Sequence, residues 1–568
     1  MNSEEKSPSV LPRYEMQVEK NVPIPMRDGI ALRANLFRPD VAGRFPVIMA
    51  MGIYGKDVHF GDGYKPQWEA LTRLYPEIDK NGSSGRYLRW EVPDPERWVP
   101  HGYVLIVIDS RGSGQSPGYL DPFSPLETRD FYDAIEWAAV QEWSTGKVGL
   151  LGISYFSIKQ WQVASLQPPH LAAICPWEGG SDLYRDWSHH GGIFSNLFPT
   201  AWMPRQVVPN QYGNAATHHV DRETGARTTG GNCSEELLRG NRADHAKDLL
   251  EHPLDDAWYR QRSPDFERIT APLLSAGNWG GAALHLRGNI EGFVRSASLS
   301  KWLFMHIGTH FESFYMPAYV EVQRRFFDHF LKGDDNGWQK QKPVQLEIRR
   351  PDGATLRSED AWPLERTQWT KYFLHVNDRR LVTTEPIGEA SSRYEAFGSG
   401  LDFQTNAFEA DTEFTGPIVA RLWVSSASDD MDIFVTLRLF GGDDKEIQFV
   451  GASELTPVTR GWLRVSHRKT DPVLSKPYRP YRTHDEVQPM KPNTLYEVDV
   501  EIWPTSIVYP RGSRMVLTLQ GKDFEFPDLA GRMLHNHETD RSAEVFGKQY
   551  SITSGPDHPS YLLMPLIP

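Results

Sequence analysis

Ser154 lies in the stretch "LLGISYFS", between an apolar run and a segment with helical periodicity. A serine on so sharp a strand-to-helix turn projects its hydroxyl above a sheet. The turn also leaves the first N–H groups of the helix free, so the N–H of Tyr155 can donate to a developing oxyanion. That is the equipment of a nucleophile that forms an acyl-enzyme. A serine nucleophile needs a base. "KWLFMHIGTHFESFY" offers His310 in the loop just past Gly308, with His306, inside the strand, as second choice. Tyr54 ends the apolar run "PVIMAMGIY". By chain order this is the third strand, and the loop after it supplies the second oxyanion donor of such enzymes; a phenol O–H can donate there as well as a backbone N–H. Plainer readings stay open: a helix-capping Ser154, a surface His310 and a Tyr54 that only packs.

The third member of a Ser–acid–His set is the difficulty. The loop expected to carry it follows the strand "PLLSAG", and from Ile269 to Ile290 there is no Asp or Glu. The acid must reach the imidazole Nδ1, but it need not sit on one particular strand. Glu178 ends the strand "LAAICPW", which follows the nucleophile helix, and keeps the order Ser154, Glu178, His310. Glu178 is therefore the expected acid, followed by Asp182 and then Glu312. Two alternatives remain: Glu178 paired with an arginine such as Arg185, or a Ser–His dyad whose ring is oriented by the amide oxygen of Asn278.

These residues need a scaffold, and the pattern supplies one. Alternating residues around Asp28-Gly29 predict a hairpin. Buried strands follow in "FPVIMAMG", "YVLIVID", "KVGLLGIS", "HLAAICPW", "APLLSAG" and "KWLFMHIG". Helices are predicted in "ETRDFYDAIEWAAVQEW", with Phe131, Ile135 and Ala138 on one face, in "YFSIKQWQVASLQ" and in "VEVQRRFFDHFLKG". Residues 57–100 read as irregular, and "GNWGG" as the start of a glycine-rich loop. The alternation predicts an α/β, mostly parallel sheet opened by an antiparallel hairpin. The expected division is a catalytic domain over 1–180 and 269–338, an inserted cap over 181–268, and an all-β sandwich or jelly roll over 339–568.

Bulk properties narrow the class. The 568 residues exceed what one core supports, so two or three domains are expected. A formal charge of −13 argues against a nucleic-acid partner. Two cysteines, Cys175 and Cys233, make neither a disulfide framework nor a metal site. The histidine pairs at 189–190 and 218–219 have no third ligand at a telling distance, so no metal or organic cofactor is expected. The polar N-terminus lacks an apolar signal core, and no apolar run is long enough to span a bilayer. A cytoplasmic location without membrane association is the default expectation.

Together these residues resemble the cocaine-esterase and X-prolyl dipeptidyl peptidase family, which includes α-amino-acid ester hydrolases. The resemblance runs through "IPMRDGIALRANLFRP", "IDSRGSGQSPG", "DFYDAIEWAAVQEWSTGKVGLLGISY" and "PPHLAAICPWEGGSDLYRD" to "FFDHFLKGDDNG" and "FTGPIVARLWVSS". It implies an α/β-hydrolase domain with a helical cap and a C-terminal jelly roll. It places the nucleophile at Ser154, the base at His310, and the oxyanion hole at the Tyr54 hydroxyl and the Tyr155 N–H. In the family motif G-x-S-Y-x-G the last glycine is replaced here by Ser157. The family aspartate, in a "GWYD"-like loop, falls on Gly280.

The expected function is hydrolysis of a small-molecule carboxylic ester, or an amide, through an acyl-enzyme. Trp177, Asp182, Trp279 and Asn278 are candidate pocket residues. An X-prolyl or α-aminoacyl peptidase is the alternative with the same chemistry; it needs carboxylates such as Asp182, Asp186 or Asp255-Asp256 to hold an ammonium. A non-catalytic scaffold and an acyltransferase also stay open. So do the acyl and leaving groups and self-association.

Overall fold

The computed structural model describes residues 14–76, 78, 82–451, 455–525 and 534–568. The polar start of the chain, residues 1–13, on which the absence of a signal segment was read, lies outside the described residues. By contact density the chain forms two compact units. One comprises 1–175, 209–242 and 314–338; the other comprises 176–208, 243–313 and 339–568.

In the first unit, β1 (Met16–Pro25) and β2 (Ala31–Pro39) form the hairpin predicted around Asp28-Gly29. Gly29 supplies the positive φ of +87° that the turn requires. β2 pairs antiparallel with β4 (Val104–Asp109), and β4 pairs parallel with β3 (Phe45–Gly52). β3 in turn pairs parallel with β5 (Ser144–Ile153), giving the order β1-β2-β4-β3-β5. Every residue of β4 is buried. That is why it reads as a continuous apolar run rather than an alternating one.

Three helices complete this frame. α2 (Pro125–Ala139) begins at Ser124, whose side chain accepts from the Glu127 N–H, and buries Phe131, Ala134, Ile135 and Ala138. α3 (Tyr155–Ala164) follows β5 and is buried along its whole length. α5 (Pro317–Phe327) lays Phe327 where a Cβ on Gly149 of β5 would be 2.6 Å away. Residues 57–100 are more regular than expected: α1 (Lys65–Leu74) runs through them. Pro66 in its first turn is compatible with a helix start, but its weakly apolar sequence hid the periodicity.

β6 (Leu171–Trp177) carries the chain onward to β7 (Leu273–Asn278) and β8 (Lys301–His306) of the second unit. β7 and β8 pair parallel, and β8 pairs parallel with Val344–Arg350. That ladder ties the late strands of the α/β pattern to the β-rich region. Residues 269–313 belong to the same compact unit as 339–568. Between β7 and β8 lies α4 (Leu286–Arg295), where only a loop was expected. The helices of the segment 181–268 are short, His245–Glu251 being the longest α-helix, and the short strands His189–His190 and Ile193–Phe194 pair antiparallel within it. Beyond 339 strands dominate, led by Thr412–Ser426 paired antiparallel with Tyr496–Tyr509. Their inward residues, among them Phe414, Leu422, Val500 and Leu517, form one buried apolar cluster. No helix among the described residues is long and apolar enough to cross a membrane.

Candidate active site

Ser154 occupies the turn from β5 into α3 with φ 52° and ψ −112°. A non-glycine residue held there stores on the order of 1–3 kcal/mol of strain, which the surrounding packing must sustain. The Ile153 N–H donates to the Glu91 carbonyl (3.0 Å), and the N–H groups of Ser157 and Ile158 return to the Ser154 carbonyl (3.0 and 2.8 Å). The Tyr155 N–H thus stands in the first turn, ahead of the intrahelical ladder. Phe156 takes the place where many such turns have glycine. Gly52 and Gly152 make this feasible, since a Cβ on either would lie 2.5 Å from Phe156 atoms. The Tyr155 side chain turns inward. Its hydroxyl donates to Glu127 (2.7 Å), which also pairs with buried Lys159 (3.1 Å). Burial and then Glu127 raise the Tyr155 phenol well above its ordinary range.

Tyr54 lies two residues beyond the end of β3, buried, with its ring edge-on to Tyr155 at 5.9 Å. The backbone after it is fixed by Asp109 at the end of β4. The Lys56 N–H donates to Asp109 Oδ1 (2.7 Å), and the Gln115 N–H to Oδ2 (2.8 Å). Lys56 Nζ also reaches Asp57 and Asn21. Gly114 explains one glycine of "DSRGSG": a Cβ there would overlap the Asp109 carboxylate at 2.1 Å. Arg111 of the same stretch pairs bidentately with Asp130 of α2 (2.7 and 2.6 Å) and with Asp28 of the hairpin turn (2.8 Å).

In the second unit, Glu178 directly follows β6 with φ 43°, and its N–H donates to the Ala276 carbonyl of β7 (2.7 Å). Its carboxylate is fully buried. Oε2 lies 2.9 Å from His310 Nδ1, so the ring donates through Nδ1–H and keeps Nε2 as the acceptor. Oε1 lies 3.4 Å from Asn278 Nδ2 and 3.5 Å from His306 Nε2. Among the sequence-stated choices of acid, Glu178 is the one on the ring. Asp182 caps Tyr184 and Arg185 and pairs with the Arg185 guanidinium (2.8 Å), while Glu312 accepts from Thr309 Oγ1 (2.9 Å). The alternative pairing of Glu178 with Arg185 does not form: Arg185 binds Asp182 and Asp255. Nor does Asn278 turn its oxygen to the base. That oxygen accepts from the Gly280 N–H (2.8 Å), and Nδ2 donates to the Gly308 carbonyl (2.7 Å).

Position 280, where an aspartate was missing, has no room for one. A Cβ on Gly280 would lie 2.5 Å from Gly451 Cα and 2.6 Å from the Val450 carbonyl. The two tryptophans named as pocket residues are fully buried. Trp177 donates to Ser313 Oγ (3.3 Å) and stacks on His306; Trp279 donates to the Glu347 carbonyl (2.8 Å) and packs on Trp362. Cys175 is buried, which pushes its thiol up, out of reactive range.

His285 escaped the sequence reading. It begins α4, and its ring lies nearly parallel to that of His310, with centroids 5.2 Å apart and planes at 16°. The signal that could have found it is the apolar set Leu286, Ile290 and Phe293 at helical spacing; Gly288 and Gly292 count against a helix and masked it. Gly288 is needed because a Cβ there would lie 2.3 Å from the Ser181 nitrogen.

The α/β sheet, with a strained serine at a strand-to-helix turn, has the fold of the α/β hydrolases. Residues 28–312 match the X-Pro dipeptidyl-peptidase (S15 family), and residues 336–563 match the X-Pro dipeptidyl-peptidase C-terminal non-catalytic domain. The chain belongs to this CocE/NonD and X-Pro dipeptidyl-peptidase-like hydrolase family. It is 31% identical to a CocE/NonD family hydrolase from Staphylococcus aureus, with a TM-score of 0.83 over 97% of this chain and 94% of that one. It is 24% identical to the cocaine esterase of Rhodococcus sp. (strain MB1 Bresler) over 97% of this chain and 98% of that protein. It is also 24% identical to a putative serine esterase of Mycobacterium bovis, over 91% and 92% of the two chains.

Proposed function

We propose that the protein hydrolyses carboxylic esters through an acyl-enzyme on Ser154. The observation that carries the reading is the 2.9 Å contact between His310 Nδ1 and the buried Glu178 carboxylate. In the neutral ring it places the proton on Nδ1 and makes Nε2 the nitrogen that can act as a base. In this mechanism Ser154 Oγ attacks the ester carbonyl as His310 Nε2 removes its proton. Glu178 stabilises the resulting imidazolium, and the Tyr54 hydroxyl and Tyr155 N–H hold the oxyanion. His310 then protonates the leaving alcohol, and a water activated by the same nitrogen releases the acid.

The ester reading is preferred to an aminoacyl one because the carboxylates available to hold an ammonium are already engaged. Asp182 and Asp255 each lie 2.8 Å from Arg185, and Asp186 lies 3.1 Å from Arg287. Asp256 lies 2.6 Å from His252 Nδ1. The esterase names of the Rhodococcus and Mycobacterium relatives agree with that choice.

The test is intact-mass analysis after treatment with a fluorophosphonate, with Ser154→Ala beside the wild type, followed by assays on an aryl acetate and a Gly-Pro anilide. A single adduct absent from the variant, with turnover of the acetate, is the expected result. An unlabelled, folded wild type that also leaves esters intact would overturn the reading. Preference for the anilide would move it to the peptidase branch.

A further inference from the structure

We propose that His285 is a positioning residue for the Glu178–His310 pair, a neutral imidazole that fixes the loop of the acid through Nδ1 and the ring of the base by stacking. The inference rests on the roles given above to Glu178 and His310, and adds to them a residue outside the proposed triad and oxyanion hole.

The geometry is specific. His285 Nδ1 accepts a hydrogen bond from the Gly180 N–H (3.2 Å), so the neutral ring carries its proton on Nε2. That Nε2 has no hydrogen-bond partner among the described residues. One helical turn further, Asn289 Oδ1 accepts from the Gly179 N–H (3.0 Å), and its Nδ2 donates to the Pro176 carbonyl (3.2 Å). The start of α4 therefore grips the backbone on both sides of Glu178. The grip explains how a glutamate is held at φ 43°, a conformation that L-residues leave unless their neighbours fix them. The second function of His285 is on its face. The parallel His310 ring, 5.2 Å away, is shielded from water on that side and limited in rotation about its side-chain bonds. Burial, and then the proximity of His310, lower the pKa of His285 well below the ordinary range. It thus stays uncharged while its neighbour becomes an imidazolium. Among the described residues, the titratable groups near the pair include Glu178 beyond β6, His306 at the end of β8, and Glu312, which bonds Thr309 beside His310.

Two variants separate the two contacts. His285→Asn keeps a hydrogen-bond acceptor and removes the ring; His285→Phe keeps a flat ring and removes the acceptor. The first readout is the histidine Cε1 resonance of His310, titrated by NMR in the intact chain and assigned by its loss in His310→Gln. This readout does not depend on turnover. The second is kcat and KM for an aryl ester. In His285→Asn, water reaches the uncovered face of His310 and favours the charged ring, so its titration midpoint should move to higher pH. Its kcat should fall about 10- to 100-fold, the order expected for a displaced catalytic group, with little change in KM. In His285→Phe the midpoint should stay near the wild-type value, while kcat falls because Gly180 has lost its acceptor. A His285→Asn protein whose midpoint and kcat match the wild type, with only its melting temperature lowered, would reduce His285 to core packing and overturn the proposal. If His285→Asn does not fold, His285→Phe decides: an unaltered kcat overturns it. If the wild type hydrolyses no ester, the functional reading fails, and the NMR titration still decides whether His285 governs His310.

Discussion

The carboxylate of Glu178 lies 2.9 Å from Nδ1 of His310, although Glu178 follows β6 and the customary position for such an acid, beyond β7, is empty of carboxylates. A side chain from the neighbouring strand spans the gap because glutamate is one methylene longer than aspartate. Replacing Glu178 with glutamine is predicted to remove the charge that stabilises the imidazolium and to let the wrong tautomer form. By analogy with loss of a triad acid elsewhere, kcat should fall by about 10⁴ with KM little changed. Steady-state kinetics on an aryl ester checks this; a kcat within a few-fold of wild type would remove Glu178 from the mechanism.

Restoring an aspartate at position 280 should not rescue that loss. The Cβ alone would meet Gly451 Cα at 2.5 Å, and backbone cannot give way as the far end of a side chain can. Gly280→Asp is therefore predicted to destabilise the protein by at least the 1–3 kcal/mol typical of overpacking. The double variant Gly280→Asp, Glu178→Gln should stay as inactive as Glu178→Gln alone. Denaturant melts and kinetics on the three proteins are the check. Recovery of activity in the double variant would mean that the 450–451 backbone moves aside.

The proposed mechanism gives Tyr54 and Tyr155 different tasks. The Tyr155 hydroxyl is committed to Glu127, so Tyr155→Phe should cost about 1–3 kcal/mol of stability through a buried carboxylate left short of a donor, with kcat nearly intact. Tyr54→Phe should do the reverse, lowering kcat by about 10²–10³, as loss of one oxyanion donor does, with the fold unaffected. Equal kinetic losses in both variants would contradict this division.

Much of this was legible in the sequence because it rests on short-range signals. Asp28-Gly29 announces a hairpin, the apolar runs announce buried strands, and Ser154 stands where a strand pattern gives way to a helix pattern. Chain order, the loop past Gly308, the lack of a carboxylate from Ile269 to Ile290 and the family resemblance led to Glu178 and His310. What stayed hidden depends on contacts between distant segments. Nothing local says that Gly280 is a glycine because the backbone at 450–451 covers it, or that Gly288 is one because Ser181 approaches α4. Gly288, with Gly292, also lowered the apparent helicity of the segment, and with it hid His285. The pairing of β8 with Val344–Arg350 is likewise non-local, and no short-range signal announces it.

Asp109 offers a pH test of the loop that carries Tyr54. Burial pushes its carboxyl from the ordinary 3.8 up to about 6, against the pull of Lys56. Between those two values the folded protein binds more protons than the unfolded chain, so this group's contribution to stability is largest at low pH and falls as pH rises through about 6. The difference of roughly two units corresponds to about 3 kcal/mol between the extremes. The ionised group, once formed, is the one that accepts from both the Lys56 and Gln115 N–H groups. Asp109→Asn removes the titration and leaves one acceptor for two donors. The change in unfolding free energy between about pH 4.5 and about pH 7.5 should then shrink by about 1–3 kcal/mol relative to wild type, while kcat falls at every pH as the Tyr54 loop loosens. Denaturant titrations of both proteins at the two pH values measure the first effect. An identical pH dependence in wild type and variant would show that Asp109 does not titrate in this range, and that the loop is held by the Lys56–Asp57–Asn21 contacts instead.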